Sequence, residues 1–199
     1  HHLMVQAGTG TGKSLAYLIP GIVHGRKVLV ATATLALQRQ LVDRDLPAVV
    51  PALEKELGRE ISYAIYKGVG NYVCLQKMNS DDVDPDGELV MEVSSLEKDA
   101  KRLIAWAKTP GVSGDREDAP EVDRRVWAAN SVSGRECVGA DVCAFGSQCF
   151  AAKAKGKAQT ADVVVTNHTL LAIEIMDLHP ILPERDCIIL DEAHEFMDR

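Results

Sequence analysis

The sequence predicts an α/β fold with a mainly parallel sheet that carries an inserted, mostly helical domain. Short apolar runs suited to β-strands alternate with segments of helical period, which is typical of parallel sheets covered by helices. This alternation stops near residue 67 and resumes near residue 161. The segment in between is therefore interpreted as an insertion, and the expected divisions are residues 1–66, 67–160 and 161–199.

Five apolar runs are expected to form the strands of the sheet. These runs lie at residues 3–5, 27–34, 61–66, 161–168 and 187–190. The first precedes a glycine-rich turn. The last is continuously apolar, which is typical of a strand buried on both faces. It includes Cys187, which we expect to pack in the core.

Helical period is found on both sides of the insertion and within it. Outside the insertion, the expected helices cover residues 15–19, 35–46 and 170–176. Pro47 should close the second of these. Inside the insertion, a long helix is expected over about 88–109, because its apolar residues fall on one face, and a short one over 120–129.

The composition is globular, with 46% hydrophobic residues and a formal net charge of −7. Residues 81–99 hold eight acidic residues and one lysine, so the rest of the chain is neutral and can carry basic patches. The acidic stretch 79–88 is expected to be a loop. No apolar run reaches the length of a membrane span and no secretory signal is seen, so we expect a cytoplasmic protein with no membrane partner. The abrupt ends suggest a piece of a longer protein.

Residues 7–14, Ala-Gly-Thr-Gly-Thr-Gly-Lys-Ser, have the pattern of a phosphate-binding P-loop before a helix. Glycines let backbone N–H groups wrap around phosphate oxygens at the positive end of a helix. Lys13 would add a positive charge at the β- and γ-phosphates, and Ser14 a hydroxyl for Mg²⁺. The alternative is a flexible turn. The predicted nucleotide contacts are Gly8, Thr9, Gly10, Thr11, Gly12, Lys13 and Ser14.

Asp191 and Glu192 follow the last apolar run, where open parallel sheets place their ligands. Asp191 can hold Mg²⁺ opposite the P-loop, directly or through water. Glu192 can orient and deprotonate the attacking water. A solvated loop is the alternative for these two acids. With the P-loop present, we predict that Lys13, Asp191 and Glu192 are catalytic.

Four of the five cysteines, Cys74, Cys137, Cys143 and Cys149, supply the thiolates that a 4Fe–4S cluster requires. Residues 137–149 show neither helical nor strand period, which fits a loop around a bulky cluster. Structural zinc sites usually space paired ligands by two to four residues, so the five-residue gaps disfavour zinc. Zinc and free buried cysteines are the alternatives.

The motifs together resemble the first motor domain of a superfamily-two helicase. The stretches that carry this resemblance are the P-loop, the strand end Ala-Thr-Ala-Thr at 31–34 and Asp-Glu-Ala-His at 191–194. Three more stretches resemble the DinG/XPD group of iron–sulfur helicases. They are residues 67–74, the Cys-x5-Cys-x5-Cys segment at 137–149, and 161–171. Residues 114–116 and 135–137 are more similar to the bacterial DinG branch.

This resemblance implies a RecA-like P-loop domain with an inserted iron–sulfur domain at 67–160. It implies an ATP-dependent DNA helicase that uses ATP, Mg²⁺ and a 4Fe–4S cluster and acts in DNA repair or replication. The implied polarity is 5′ to 3′, the implied partner is single-stranded or forked DNA, and the expected state is a monomer. The second motor domain is expected outside this sequence, so the fragment alone should be nearly inactive.

In this family the inserted domain helps to guide single-stranded DNA, and six basic residues are candidates for contacting it. They are Arg124, Arg125, Arg135, Lys153, Lys155 and Lys157. Tyr72 is a candidate for base stacking, with core packing as its alternative. Two other functions stay open. One is a non-catalytic iron–sulfur module with a vestigial P-loop, and the other is a zinc-containing P-loop RNA helicase.

Overall fold

We describe a computed structural model of the chain, which covers residues 2–8, 10–79, 90–177 and 180–198. The chain divides into two compact units. Residues 1–66 and 154–199 form the first unit, and residues 67–153 form the second. The chain thus leaves the second unit at residue 153, inside a helix, whereas the sequence placed the end of the insertion at 160. In the described part of the chain, no helix is both long and apolar enough to cross a bilayer.

The first unit is built on a parallel sheet of four strands, which confirms the predicted α/β fold. The strands are β1 (Val28–Thr32), β2 (Tyr63–Ile65), β3 (Val163–Asn167) and β4 (Cys187–Leu190). Their order across the sheet is β2-β3-β1-β4. Val28 lies opposite both Val163 and Cys187, so β1, β3 and β4 run in register. Their carboxyl ends therefore share one edge of the sheet, where ligands are expected.

Helices of the first unit pack on both faces of this sheet. They are α1 (Lys13–Val23), α2 (Leu35–Gln40), α3 (Leu46–Leu57), the end of α7 (Phe150–Thr160) and α8 (His168–Asp177). Successive side chains of β1 point to opposite faces of the sheet and pack in two different hydrophobic cores. Val30 packs with Leu18 and Val165, whereas Leu29 packs with Val164 and Leu171. Coverage of both faces explains why every residue of β1 is buried.

The helical path that the sequence predicted over 35–46 continues past Pro47 instead of ending there. A π-helical turn, Leu41–Asp45, follows α2, and α3 then begins at Leu46 with Pro47 in its first turn. Proline is tolerated at that position because the first N–H groups of a helix have no partner within the helix. The expectation that Pro47 closes the helix is therefore wrong.

Two strand predictions are also corrected by the structure. Residues 3–5 form no strand, and Leu3, Met4 and Val5 are largely exposed. β4 is the last strand of the sheet, and its residues alternate between half-buried and exposed. Cys187 is accordingly half-buried and not part of the core. A continuously apolar run is compatible with a strand buried on both faces, but it does not show that both faces are covered.

The second unit has its own core, centred on Leu103 and Trp127. Its helices are α4 (Leu75–Asn79), α5 (Val90–Ala107), α6 (Arg124–Ala129) and the start of α7. The sequence predicted α6 from residue 120, but Asp123 caps it by accepting a hydrogen bond from the backbone N–H of Arg125. Most of the predicted acidic loop and the predicted start of the long helix fall at 80–89, outside the described residues.

A buried ion pair stabilises the segment that leads to the first cysteine. The side chain of Lys67 is fully buried, and its Nζ lies 2.5 Å from Asp115 Oδ2. The same ammonium contacts the carboxylate of Glu117. Asp115 forms an isolated β-bridge with Tyr72, two positions before Cys74. These contacts hold the chain at 67–74 against the loop at 113–118.

Candidate nucleotide site and cysteine cluster

The turn before α1 has a backbone suited to binding phosphate. Gly10 and Gly12 have φ angles of 73° and 80°, in the left-handed region that glycine adopts without strain. The hydroxyl of Thr11 donates to the carbonyl of Gly8 at 2.8 Å and closes the turn. α1 begins directly at Lys13, so the first N–H groups of the helix can serve an anion. Thr9, also predicted to contact nucleotide, lies outside the described residues.

Lys13 and Glu192 form an ion pair that joins the P-loop to the end of β4. Lys13 Nζ lies 2.6 Å from Glu192 Oε1. This hydrogen bond holds the pKa of Glu192 below its usual range and raises the pKa of Lys13. Among the described non-glycine residues, Glu192 alone has a positive φ, at 54°. Such backbone strain persists only where the surrounding structure enforces it, and it is often found at functional sites.

Asp191 is fixed through both its backbone and its side chain. Its N–H donates to the carbonyl of Ala31 at 2.9 Å, directly beyond the paired part of β4. Its Oδ2 accepts a hydrogen bond from the hydroxyl of Tyr17 at 3.2 Å. Burial and the neighbouring carboxylate of Asp191 raise the pKa of Tyr17, so its hydroxyl remains a donor at neutral pH. Sequence reasoning did not identify Tyr17, and its position one turn after Ser14 was the only available signal.

A second carboxylate, Asp45, contacts the P-loop from the end of the π-helical turn. Asp45 is buried and accepts hydrogen bonds from Arg44 Nε at 2.9 Å and from Gln40 Nε2 at 3.3 Å, and its carboxylate interacts with the side chain of Ser14. Burial alone would raise the pKa of Asp45, but its interactions with Ser14, Arg44 and Gln40 outweigh burial and keep that pKa low. Sequence reasoning also missed Asp45, because its partner Ser14 lies on another helix.

The chemistry of these groups fits a magnesium nucleotide. Mg²⁺ prefers oxygen ligands and is usually held by one or two protein side chains together with substrate phosphates. Ser14 and Asp191 offer a hydroxyl and a carboxylate, and Lys13 offers the positive charge that phosphates require. Lys13, Ser14, Asp191 and Glu192 all belong to the first unit. They lie on the two elements that the Lys13–Glu192 pair brings together.

Two further residues at the same edge of the sheet have structural roles that the sequence did not reveal. Asn167 accepts a hydrogen bond from the N–H of Leu170 at 2.7 Å, which caps the first turn of α8. His168 is fully buried, and its Nε2 lies 3.2 Å from the carbonyl oxygen of Ala31. Its ring packs edge-to-face on Phe196 at 5.3 Å. His168 therefore connects β1 with the short helix that follows Asp191.

The four predicted cluster cysteines line a single cavity in the second unit, namely Cys74, Cys137, Cys143 and Cys149. Backbone hydrogen bonds fix the loop that carries the last three. The N–H of Cys137 donates to Ser133, and the N–H of Cys143 donates to Gly139. A side chain at Gly146 would collide with the carbonyl of Ala140, so the loop between Cys143 and Cys149 is closely packed.

The side chains of this cavity have the chemistry of a thiolate-bound centre, whereas their arrangement is too open to hold a metal ion. Among the described residues, no three histidine, cysteine or acidic side chains are arranged closely enough to hold a metal ion. The cysteines are also free of disulfides. Four thiols around one cavity match the ligands of an iron–sulfur cluster and also those of structural zinc. Cys187 lies in the other unit and takes no part.

The six candidate basic residues are exposed, as a DNA contact requires. Arg125 is partly neutralised by Asp123, with Nε 3.2 Å from the carboxylate. Lys153, Lys155 and Lys157 all lie on α7. Tyr72, in contrast, is buried at 3% exposure, so core packing and not base stacking describes it.

Comparison with known proteins supports this assignment of motifs. A family model described as DEAD/DEAH box helicase matches residues 1–68. The "ATP-dependent helicase DinG" of Mycobacterium tuberculosis (strain ATCC 25177 / H37Ra) is 51% identical over 100% of this chain and 32% of that protein. The "ATP-dependent DNA helicase YoaA" of Escherichia coli (strain K12) is 38% identical over 98% of this chain and 30% of that protein. The "ATP-dependent DNA helicase DinG" of the same strain is 30% identical over 99% of this chain and 29% of that protein.

The chain spans about a third of the curated relatives that it matches. The similarity nevertheless extends across both units, because each alignment covers nearly every residue of the chain. The matched P-loop and the acidic motif also meet in the structure through Lys13 and Glu192. Along its whole length the chain is therefore similar to the matching third of the DinG-like helicases.

Proposed function

We propose that this chain is the nucleotide-binding part of an ATP-dependent DNA helicase whose complete activity resides in the longer protein. The observation that carries the proposal is the 2.6 Å contact between Lys13 and Glu192. It brings the P-loop and the Asp-Glu-Ala-His motif to one place, as phosphoryl transfer requires. The names of the relatives, ATP-dependent helicase DinG and ATP-dependent DNA helicase YoaA, support the same activity.

Each residue of the site has a role that follows from its chemistry. The N–H groups of the glycine-rich turn bind phosphate oxygens. Lys13 would exchange its contact with Glu192 for the β- and γ-phosphates, and Ser14 and Asp191 would hold Mg²⁺ directly or through water. When bound, the metal neutralises charge that develops on the phosphates. Glu192, released from Lys13, then orients and deprotonates the attacking water.

We also propose that the cysteine cavity holds a 4Fe–4S cluster. Cys74, Cys137, Cys143 and Cys149 would be its ligands, because they are the four thiols that line one cavity. The irregular, tightly packed loop between them suits a bulky group better than a zinc ion, whose paired ligands are usually two to four residues apart. The cluster would give the second unit a rigid centre close to α4.

The proposed partner is single-stranded or forked DNA, and the proposed motion is 5′ to 3′ translocation with unwinding in DNA repair or replication. The exposed basic residues of α6 and α7 support contact with phosphates. The motor is proposed to act as a monomer in the cytoplasm. The two competing functions, a non-catalytic cluster module and a zinc-containing RNA helicase, differ from this proposal in nucleotide binding and in metal content.

Nucleotide binding tests the central claim. A fluorescent ATP analogue should bind the chain weakly in the presence of Mg²⁺, and Lys13→Ala should abolish that binding. Lys55→Ala is the matched control, because Lys55 is an exposed lysine on α3. Hydrolysis by the chain alone should stay near background, since the family supplies arginines from a second motor domain and such a residue contributes roughly 10³–10⁵ in rate. Equal affinity in the wild type and Lys13→Ala would refute the proposed site.

A further inference from the structure

The hydroxyl of Tyr17 contacts a carboxylate of the proposed nucleotide site. Tyr17 lies on α1, one turn after Ser14, and its hydroxyl lies 3.2 Å from Asp191 Oδ2. Its ring is partly buried against the core of the first unit that contains Leu18 and Val30. The side chain therefore spans the distance between the core and the carboxylate that is proposed to face Mg²⁺.

The same end of α1 has a second polar contact with a carboxylate. The side chain of Ser14 interacts with the buried Asp45 and helps to keep the pKa of that carboxyl low. The two groups proposed to hold the metal therefore each have a polar partner outside the sequence motifs, namely Asp45 for Ser14 and Tyr17 for Asp191.

We propose that Tyr17 is a positioning residue that holds Asp191 in the orientation needed for Mg²⁺-nucleotide binding. The inference rests on the proposed nucleotide site. Tyr17 occupies only Oδ2 of the carboxylate, so Oδ1 remains able to accept the metal or its water. A bound Oδ2 also limits rotation of the carboxylate about its last torsion, which reduces the entropy lost when the metal binds.

Packing alone does not account for the hydroxyl. A phenylalanine would fill the same space beside the core, whereas a partly buried hydroxyl must be compensated by a hydrogen bond. Tyr17 donates that bond to Asp191 and not to a neighbouring carbonyl. The hydroxyl of Tyr17 therefore contributes specifically to the orientation of the Asp191 carboxylate. Tyr17→Phe removes only this oxygen atom, so it isolates that contribution.

The test compares Tyr17→Phe with Tyr63→Phe, a matched control on β2 whose ring packs against the same core. The affinity of a fluorescent ATP analogue is measured for each chain with Mg²⁺ and with EDTA, and thermal unfolding is recorded in parallel. Tyr17→Phe should weaken binding with Mg²⁺ by about threefold to tenfold, the range expected for one hydrogen bond. Binding in EDTA and the unfolding temperature should not change. Tyr63→Phe should match the wild type throughout.

The outcomes separate this inference from the function on which it rests. If the wild type binds in a Mg²⁺-dependent manner and Tyr17→Phe binds equally well, the positioning role is refuted and the nucleotide site stands. Equal losses with Mg²⁺ and with EDTA would also refute it, because the hydroxyl would then act on the fold or on the nucleotide itself. If the wild type shows no binding that depends on Lys13, both proposals are overturned.

Discussion

Lys13 Nζ and Glu192 Oε1 lie 2.6 Å apart although 179 positions separate the two residues in the sequence. The pair does more than join two distant motifs, because Glu192 binds the Lys13 ammonium group that nucleotide phosphates need. A carboxylate and a phosphate that seek the same cation compete for it, and they also repel each other. Glu192 should therefore oppose nucleotide binding before it takes its proposed part in the chemical step.

Glu192→Gln should tighten binding of a Mg²⁺-nucleotide by severalfold, because it removes a competing negative charge from Lys13. Titration of a fluorescent ATP analogue measures the change. Glu195→Gln is the control, because it removes the same charge at an exposed position outside this ion pair. Weaker binding by Glu192→Gln than by Glu195→Gln would show that Glu192 supports the ground state instead.

Protein purified without oxygen should be brown and should carry about four irons and four acid-labile sulfides per chain. Serine at Cys74, Cys137, Cys143 or Cys149 should remove the colour, because each thiol lines the shared cavity. Cys187→Ser should keep it, since Cys187 lies in the other unit. Metal and sulfide analysis decides the matter. Stoichiometric zinc without sulfide in fresh anaerobic protein would overturn the cluster assignment.

Lys67→Met should destabilise the second unit by about 3–5 kcal/mol, because it leaves the carboxylate of Asp115 buried without its cation. Lys77→Met is the control, since Lys77 lies in an exposed pair with Glu136 and should contribute little. Chemical denaturation of both variants measures the difference. Adding Asp115→Asn to Lys67→Met should recover part of the loss, and a lack of recovery would argue against charge burial as its cause.

Acid should weaken the first unit through Glu174. Burial would raise the pKa of Glu174, but its bonds to Arg185 and to the N–H groups of Leu182 and Ile181 outweigh burial and lower it. A carboxyl whose folded pKa is depressed stabilises the fold above the unfolded value of about 4.3, and that stability is lost as pH falls through the folded pKa.

Glu174→Gln should therefore be less stable than the wild type at pH 7, and the difference should shrink below about pH 4. Urea denaturation across this pH range measures it. The exposed Glu184→Gln should follow the wild type at every pH. A gap between Glu174→Gln and the wild type that stays constant with pH would mean that the side chain stabilises by packing.

Single-stranded DNA should bind weakly, with an affinity that falls as salt rises. Each neutralised phosphate contributes a slope of about −0.7 in log K against log salt. Replacing Lys153 and Lys155 on α7 by glutamate should weaken binding more than the same change at Lys27 and Lys55, which are also exposed. Fluorescence anisotropy at two salt concentrations tests this. Equal losses from the two double variants would show that α7 has no special role.

Several local patterns in the sequence correctly predicted the structure of this chain. Glycine spacing predicted the turn at Gly10 and Gly12, since left-handed φ angles favour glycine. The alternation of apolar runs with helices predicted the parallel sheet. The positions of Lys13 and Glu192 in recognisable motifs were sufficient to nominate both, because their chemistry requires those residue types at those places.

Only the tertiary structure shows which residues support the side chains of the proposed nucleotide site. Tyr17 and Asp191 are 174 positions apart, and no periodicity relates a helix to a strand end at that distance. The sequence also could not show that β4 is the last strand of the sheet. Apolar side chains indicate that a strand avoids water, but they do not indicate which strands or helices lie next to it. Hydrogen bonds between distant elements depend on direction and distance in space, and these arise only once the chain has folded.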